Sequence, residues 1–193
     1  MSWRDSPTRD DDAAVDRQII GDMAGGSAEA LGRLYDRHAG MVFALACRIV
    51  RAAEDAEEVV QDVFAQVWRE ASRYEARRAS VAGWLVMITR ARAIDRLRSH
   101  RARPDLDSSA APSTAAMASA EPDPEMQTVR AADAHAVRTA LAVLPERERQ
   151  LVELAYFEGL THSELAARTG TPLGTVKTRL RTAMFALRGA LTS

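Results

Sequence analysis

Apolar residues recur at helical spacing through the first hundred residues of the chain. Residues three or four positions apart share one face of an α-helix, so this recurrence predicts amphipathic helices. Four sets follow the spacing: Ala30, Leu31, Leu34 and Tyr35; Val42, Leu45, Ala46 and Ile49; Val59, Val63, Phe64 and Val67; Trp84, Leu85, Ile88, Ile94 and Leu97. The pattern predicts an all-helical N-terminal part at residues 15–103.

The C-terminal part has clearer start and stop signals. One helix is expected to end at Pro145, and the next to span residues 146–158 with Gly159 just beyond its end. Thr161 and Glu164 have the spacing of a capping box, in which each side chain accepts a hydrogen bond from the other residue's backbone N–H. We therefore expect a third helix to start at Thr161.

That third helix should stop near Gly170, where Thr171 and Pro172 fit the N-cap and first position of a last helix over 173–191. Two short helices joined by a glycine turn form a helix-turn-helix. The expected buried stripe of the last helix is Val176, Leu180, Ala183, Met184 and Leu187.

Residues 104–127 differ in composition from both flanks. They contain four of the chain's seven prolines, five acidic residues and no basic residue, and large apolar residues are nearly absent. Such a stretch cannot bury enough surface to offset its ordering entropy. The sequence therefore predicts an all-α chain of two helical domains, residues 15–103 and 128–191, joined by a linker at 104–127.

Charge is segregated along a chain whose formal net charge is only −1. Residues 54–70 contain six acids and one base, residues 77–103 contain eight arginines against Asp95, and residues 168–188 contain five bases and no acid. Two separated basic segments favour two contacts with a polyanion, although each could be an ordinary solvated helix face.

The second helix of a helix-turn-helix enters the major groove, with its N-terminal residues nearest the bases. Threonine and basic side chains there can reach phosphates, thymine methyl groups or guanine. The candidates are Thr171, Thr175, Lys177, Thr178, Arg179 and Arg181. The alternative for this segment is a purely structural helical hairpin.

A second candidate surface combines the basic helix at 90–103 with the connector at 72–80, which contains Tyr74. Arginines and an exposed aromatic ring can hold single-stranded DNA by charge and stacking. The acidic helix at 54–70 would repel the same phosphates, so its expected partner is a basic protein surface.

Composition argues against several other classes of protein. The 193 residues are 47% apolar, and the longest apolar run, residues 41–47, is far too short to span a bilayer. Cys47 is the single cysteine and the four histidines are scattered, so no metal-ligand motif or catalytic constellation is present. We expect no enzymatic activity, no cofactor and no metal, and a cytoplasmic location without a signal peptide.

Motifs in the N-terminal part resemble region 2 of bacterial sigma factors of the sigma-70 family, in the extracytoplasmic function (ECF) group. They are DAEEVVQDVF at 55–64, GWLVMITR at 83–90 and AIDRLR at 93–98. The sequence departs from the family at Ala91, where an asparagine is usual.

The C-terminal part resembles region 4 of the same family, so that the resemblance covers residues 16–191. The matching motifs are LPER at 144–147, EGLT at 158–161, ELA at 164–166 and GTVKTRL at 174–180.

The resemblance implies a transcription initiation factor that binds core RNA polymerase at the β′ clamp helices and the β flap. It would direct the polymerase to promoters and help to melt the −10 element, and a cognate anti-sigma factor would hold it inactive. The polymerase-binding residues so implied are Asp55, Glu58, Gln61, Asp62 and Phe64.

The resemblance also assigns DNA contacts to both domains. Those to the melted −10 strand are Arg73, Tyr74, Arg77, Arg78, Trp84, Arg90, Arg92, Arg96 and Arg98. Those to the duplex −35 element are Thr161, Thr171, Thr175, Lys177, Thr178, Arg179 and Arg181. Helical periodicity alone places Phe64 and Trp84 in the core instead.

A free-standing helix-turn-helix regulator of duplex operators is the alternative function. It would account for the C-terminal part but would leave the acidic helix and the arginine-rich connector without a role.

Overall fold

The computed structural model describes residues 9–102, 139 and 141–192. Among these residues it contains helices and no β-strand, which confirms the all-α prediction. The helices group into two units, the first containing α1–α4 and the second α5–α7. The predicted linker at 104–127 lies outside the described residues, and the exact domain bounds stay predictions.

Within residues 9–102, the first unit consists of four α-helices and a short 3₁₀ turn. The helices are α1 Arg9–Ala24, α2 Ala28–Val50, α3 Ala53–Glu70 and α4 Val81–Ala102, with the 3₁₀ turn at Ala71–Arg73 between α3 and α4. The sequence pattern placed the start of the helical part at residue 15, whereas α1 begins at Arg9, because that helix starts with a run of acidic residues.

Local signals set the ends of these helices. Ser27 caps α2, since its hydroxyl accepts a hydrogen bond from the Ala30 amide, and Ser80 accepts likewise from the Gly83 amide at the start of α4. Arg51 ends α2 in the left-handed conformation, with φ at 63°. The chain therefore turns tightly between α2 and α3.

The core of the first unit is aliphatic. Each helix contributes fully or nearly buried side chains at helical spacing, so that α2 packs against α1, α3 and α4. Burial of one such side chain stabilises the fold by about 1.5–3 kcal/mol. The central members are Ile19, Leu34, Val42, Ile49, Val59, Val63, Val67 and Leu85.

A buried carboxylate joins α1 to α2. Asp16 is only 6% exposed, and its oxygens lie 2.8 Å from Arg37 Nε and 2.9 Å from His38 Nε2. Burial alone would raise the pKa of Asp16, but the hydrogen bonds and charges of His38 and Arg37 outweigh it and hold the pKa below its usual value. Ionised Asp16 therefore ties the two helices together.

The second unit contains α5 Glu146–Phe157, α6 His162–Thr169 and α7 Leu173–Thr192. Its core is formed by Leu151, Leu165, Val176 and Leu180. The expected glycine turns are confirmed: Gly159 follows α5 with φ at 63°, and Gly170 ends α6 with φ at 62°. A residue other than glycine would be strained at either position.

Two expectations for α7 were wrong. Met184 is 59% exposed rather than buried, since it lies at the edge of the buried stripe, one turn from Leu180, where the neighbouring helices do not cover it. Thr171 does not occupy the N-cap position of α7, and its hydroxyl donates back to the Thr169 carbonyl at 3.4 Å. The Pro172 carbonyl instead accepts the first helical bond, from Val176 N at 3.0 Å, and the helix starts at Leu173.

We expect Asp16→Asn to destabilise the first unit by roughly 1–3 kcal/mol at neutral pH, since Arg37 and His38 lose a charged partner. The pKa of Asp16 is lower in the folded chain. The stabilisation is thus complete above the unfolded value of about 4 and is lost as pH falls through the folded value. Thermal unfolding between pH 3 and 7 would show this slope in the wild type and a shallower one in the variant.

Asp22→Asn is the matched control, because Asp22 also pairs with an arginine of α2, Arg33, but at the surface. It should change the unfolding temperature less. An equal loss in both variants would contradict the account of the Asp16 cluster.

Candidate functional site

The polar face of α3 carries most of the residues predicted to bind polymerase. Glu58, Gln61 and Asp62 are exposed, whereas Asp55 is half-buried. Phe64 is only 5% exposed and packs against the ring of Tyr35 at a centroid distance of 4.9 Å. The burial of Phe64 agrees with its place in the apolar stripe, so its contact with a partner stays a prediction.

Two acidic residues of α3, Asp55 and Glu58, are paired with α4 within the same unit. Arg96 Nε donates to Asp55 Oδ1 at 2.7 Å, and Arg96 Nη1 donates to Glu58 Oε2. His100 Nε2 lies 3.2 Å from the same Asp55 oxygen. Burial works against the charge of Arg96, but the two carboxylates outweigh it and raise the pKa of the guanidinium.

A second arginine of α4 also reaches α3, since Arg92 Nε donates to Gln66 Oε1 at 2.9 Å. Arg92 and Arg96 lie one turn apart and face α3, so they contact protein rather than open solvent alone. The remaining arginines predicted for −10 DNA on this helix are Arg90, which is half-buried, and Arg98, which is exposed.

The connector between α3 and α4 is held in a defined shape. The Tyr74 hydroxyl donates to the Ala79 carbonyl at 2.8 Å, and the Tyr74 and Trp84 rings pack at a centroid distance of 5.2 Å. Burial raises the pKa of Tyr74, so the phenol remains a neutral donor. The structure thus brings the two aromatic residues of the predicted −10 site into contact.

The basic side chains of the connector point into solvent. The side chains of Arg77 and Arg78 are 86% and 77% exposed, and both pair with Glu75 at the surface. Arg73 is exposed as well. These three arginines flank Tyr74 in the sequence and place positive charge on the same connector as its aromatic ring.

Helix α6 is fixed by the predicted capping box. The Thr161 hydroxyl accepts from the Glu164 amide at 3.3 Å, and Glu164 Oε2 accepts from the Thr161 amide at 2.6 Å. The Thr171 amide donates to the Ala166 carbonyl at 3.1 Å and closes the turn at Gly170. Leu165 then packs with Val176, which holds α6 against α7.

The face of α7 opposite its buried stripe carries polar residues. Lys177, Thr178 and Arg181 are exposed, whereas Thr175 and Arg179 are half-buried at its edges. The Thr178 hydroxyl donates to the Gly174 carbonyl at 3.0 Å, which ties this exposed side chain to the preceding turn of the helix. The exposed face is basic and free of acidic residues.

Two regions of the chain match known families. Residues 34–103 match the family described as Sigma-70 region 2, and residues 140–189 match the family described as Sigma-70, region 4. The chain is also 36% identical over 187 residues to the ECF RNA polymerase sigma factor SigK of Mycobacterium ulcerans, covering 96% of both chains. The chain belongs to the ECF group of the sigma-70 family.

This sigma factor also resembles proteins of other bacteria. The ECF RNA polymerase sigma factor RpoE of Cereibacter sphaeroides is 41% identical over 163 residues, which cover 82% of this chain and 84% of the relative. A solved structure of Rhodobacter sphaeroides SigE in complex with the anti-sigma ChrR is 36% identical. It covers 94% of this chain and 99% of that chain, with a TM-score of 0.46.

The structure of the sigma factor adds contacts that the sequence motifs did not reveal. The pairing of Arg96 with Asp55 and Glu58 joins residues from two different predicted surfaces. The signal was present in the sequence, since Arg92, Arg96 and His100 recur every fourth residue on α4. Periodicity shows that they share a face, but it does not show which helix that face meets.

Within the described part of the chain, no helix is long and apolar enough to cross a bilayer.

We expect Thr161→Ala to destabilise the second unit by about 0.5–2 kcal/mol, because the Glu164 amide loses its capping acceptor. Hydrogen exchange read by mass spectrometry should show faster exchange in α6 and α7 and unchanged exchange in α1–α4. Thr182→Ala is the control, since Thr182 is an exposed residue within α7 and caps no helix. Faster exchange in the control alone would contradict the capping assignment.

Proposed function

We propose that this sigma factor binds core RNA polymerase, directs it to specific promoters and helps to melt the −10 element. The observation that supports this function best is the combination, in one chain, of an acidic exposed face on α3, an arginine-rich connector and a basic recognition helix. A factor that must contact both a protein and DNA needs surfaces of opposite charge on separate faces.

The proposed polymerase-binding surface is the exposed part of α3, with Gln61 and Asp62 at its centre and Glu58 at its edge. Charged residues at such an interface steer association and specify the partner. Its expected counterpart is a basic surface, the β′ clamp helices of the polymerase, while the β flap would contact the second unit.

The proposed −10 surface is the connector and the adjoining start of α4. Arg73, Arg77 and Arg78 would neutralise phosphates of the melted non-template strand. The Tyr74–Trp84 pair would offer an aromatic surface for an unstacked base. Stacking of this kind tolerates different bases, so base selection would come from the shape of the surrounding connector.

The proposed −35 surface is the exposed face of α7. Lys177, Thr178 and Arg181 lie centrally and would enter the major groove, while Thr175 and Arg179 would reach the groove edges. Thr161 and Thr171 lie at the turns that lead into α6 and α7, where backbone amides and hydroxyls commonly contact phosphates.

The chain would act without catalysis of its own, since transcription is carried out by the polymerase it recruits. We further propose a cytoplasmic location, where core polymerase and promoter DNA are found. A cognate anti-sigma factor would be its negative regulator, binding over the polymerase and DNA surfaces.

A free-standing helix-turn-helix regulator is the less favoured function. It would use α5–α7 alone, and it gives no role to the region 2 match at residues 34–103.

Charge reversal at the centre of the α3 surface tests polymerase binding. We expect wild-type protein to co-elute with core RNA polymerase in size-exclusion chromatography, and Asp62→Lys to weaken this binding at least tenfold because it opposes a basic partner. Asp36→Lys makes the same change at an exposed position of α2, outside every surface proposed to bind polymerase, and should co-elute normally. Failure of folded wild-type protein to bind polymerase would instead favour the free-standing regulator.

Base reading by α7 can be separated from phosphate binding. The holoenzyme is allowed to select promoters from random duplexes. Arg181→Ala should weaken the free energy of promoter binding by about 1–3 kcal/mol and relax the base preference at one −35 position. Lys177→Ala should weaken all duplexes alike and lower the salt dependence of binding by about one counterion. Unchanged selectivity in Arg181→Ala, measured by sequencing the selected duplexes, would remove Arg181 from the base-reading set.

A further inference from the structure

Arg96 stands at the meeting point of the two surfaces proposed for the first unit. It is carried by α4, among arginines assigned to −10 DNA, yet its guanidinium is bound to Asp55 and Glu58 of the polymerase-binding helix. The same guanidinium therefore belongs to both proposed surfaces, and it cannot bind the α3 carboxylates and a DNA phosphate fully at the same time.

The environment of this cation is only partly open to solvent. The side chains of Arg96 and Asp55 are 27% and 16% exposed, whereas that of Glu58 is 57% exposed. His100, half-exposed on the next turn of α4, contacts Asp55 as well. A DNA phosphate approaching Arg96 would have to displace two carboxylates, one of which is largely desolvated.

A partner protein has access to the same carboxylates. A cleft of about 340 Å³ opens beside them and is lined by Ala52, Asp55 and Arg96, among others. Glu58 projects towards solvent one turn from Gln61 and Asp62. A basic side chain of a partner that reaches the exposed α3 surface can therefore replace Arg96 in the ion pair with Glu58, and then in the pair with Asp55.

We propose that the α3 carboxylates hold Arg96 away from DNA in the free chain, and that lysine or arginine side chains of the polymerase release it. This inference rests on the proposed function and adds a linkage between its two binding events. The new ion pairs made by polymerase replace those lost by Arg96, so the charge of Asp55 and Glu58 stays compensated. Arg96 then becomes available to a phosphate of the melted strand.

Linkage is reciprocal, so a strand that engages Arg96 must strengthen polymerase binding by the same factor. Exposed ion pairs are weak enough to exchange partners in water, and the Glu58 pair is the exposed one. The free chain would therefore bind single strands poorly, and the complex with polymerase would bind them well.

The test uses the full chain and a fluorescent mixed-sequence 20-nucleotide single strand, with binding followed by anisotropy at low salt. Asp55→Asn with Glu58→Gln keeps both side-chain shapes but removes the charges that hold Arg96. We expect this double variant to bind the strand about fivefold or more tightly than wild type. The matched control, Glu54→Gln with Glu57→Gln, makes the same charge change at two exposed positions of α3. Its affinity for the strand should increase much less.

An Arg96→Ala background decides whether the gain acts through Arg96. In that background, Asp55→Asn with Glu58→Gln should no longer increase the affinity for the strand. An equal increase in the control pair, or one that survives Arg96→Ala, would overturn the proposal, because it would reflect net charge alone. Circular dichroism checks the fold, and the single variant Glu58→Gln replaces the double one if the latter unfolds.

A separate measurement keeps this outcome distinct from failure of the proposed function. Wild-type chain that does not co-elute with core polymerase would argue against the sigma-factor function itself. Wild-type chain that co-elutes, combined with no Arg96-dependent gain in strand binding, would leave the function intact and reject only the linkage.

Discussion

Helix α3 must bury one side in the protein core while it exposes a charged side, and the first unit is arranged around this helix. Its apolar side, including Val59, Val63 and Val67, is buried against α2 and α4. Its polar side carries acidic residues that would be costly to bury and repulsive to DNA. Because the apolar side fixes the helix in the core, the acidic side is presented in one orientation. It stands beside α4, where Arg96 compensates the charges of Asp55 and Glu58.

This arrangement explains why the residues proposed to bind polymerase and those proposed to bind DNA lie so close together. Arg92 and Arg96 hold α4 against α3 through Gln66 and the two carboxylates. The aromatic pair of Tyr74 and Trp84 then packs at the connector, with arginines exposed around it. A change at the α3–α4 contact would therefore alter the positions of side chains at both proposed surfaces.

Features encoded by neighbouring residues could be predicted from the sequence. The capping box of Thr161 and Glu164 and the glycine ends of α5 and α6 depend on a few adjacent positions, and the structure has them where expected. The candidate residues of α7 share a helix, so periodicity alone places Lys177, Thr178 and Arg181 together. Region 2 and region 4 motifs identified the family because several of them occur in the same order.

Contacts between distant residues could not be predicted in the same way. Asp16 meets His38 across 22 positions, and Arg96 meets Asp55 across 41. Nothing local distinguishes these charged residues from solvated ones. The exposure of Met184 was missed for a related reason, since periodicity defines a stripe but not how far neighbouring helices cover it. Tertiary packing decides each of these cases.

The central claim is that one chain presents separate surfaces to polymerase and to promoter DNA. Site-specific photo-crosslinking in the holoenzyme–promoter complex tests it most directly, with the crosslinking amino acid placed at position 62 or at position 178. Position 62 should crosslink to a polymerase subunit and not to DNA, and position 178 to the −35 duplex. Crosslinks from position 62 to DNA, or from position 178 to polymerase alone, would contradict the account.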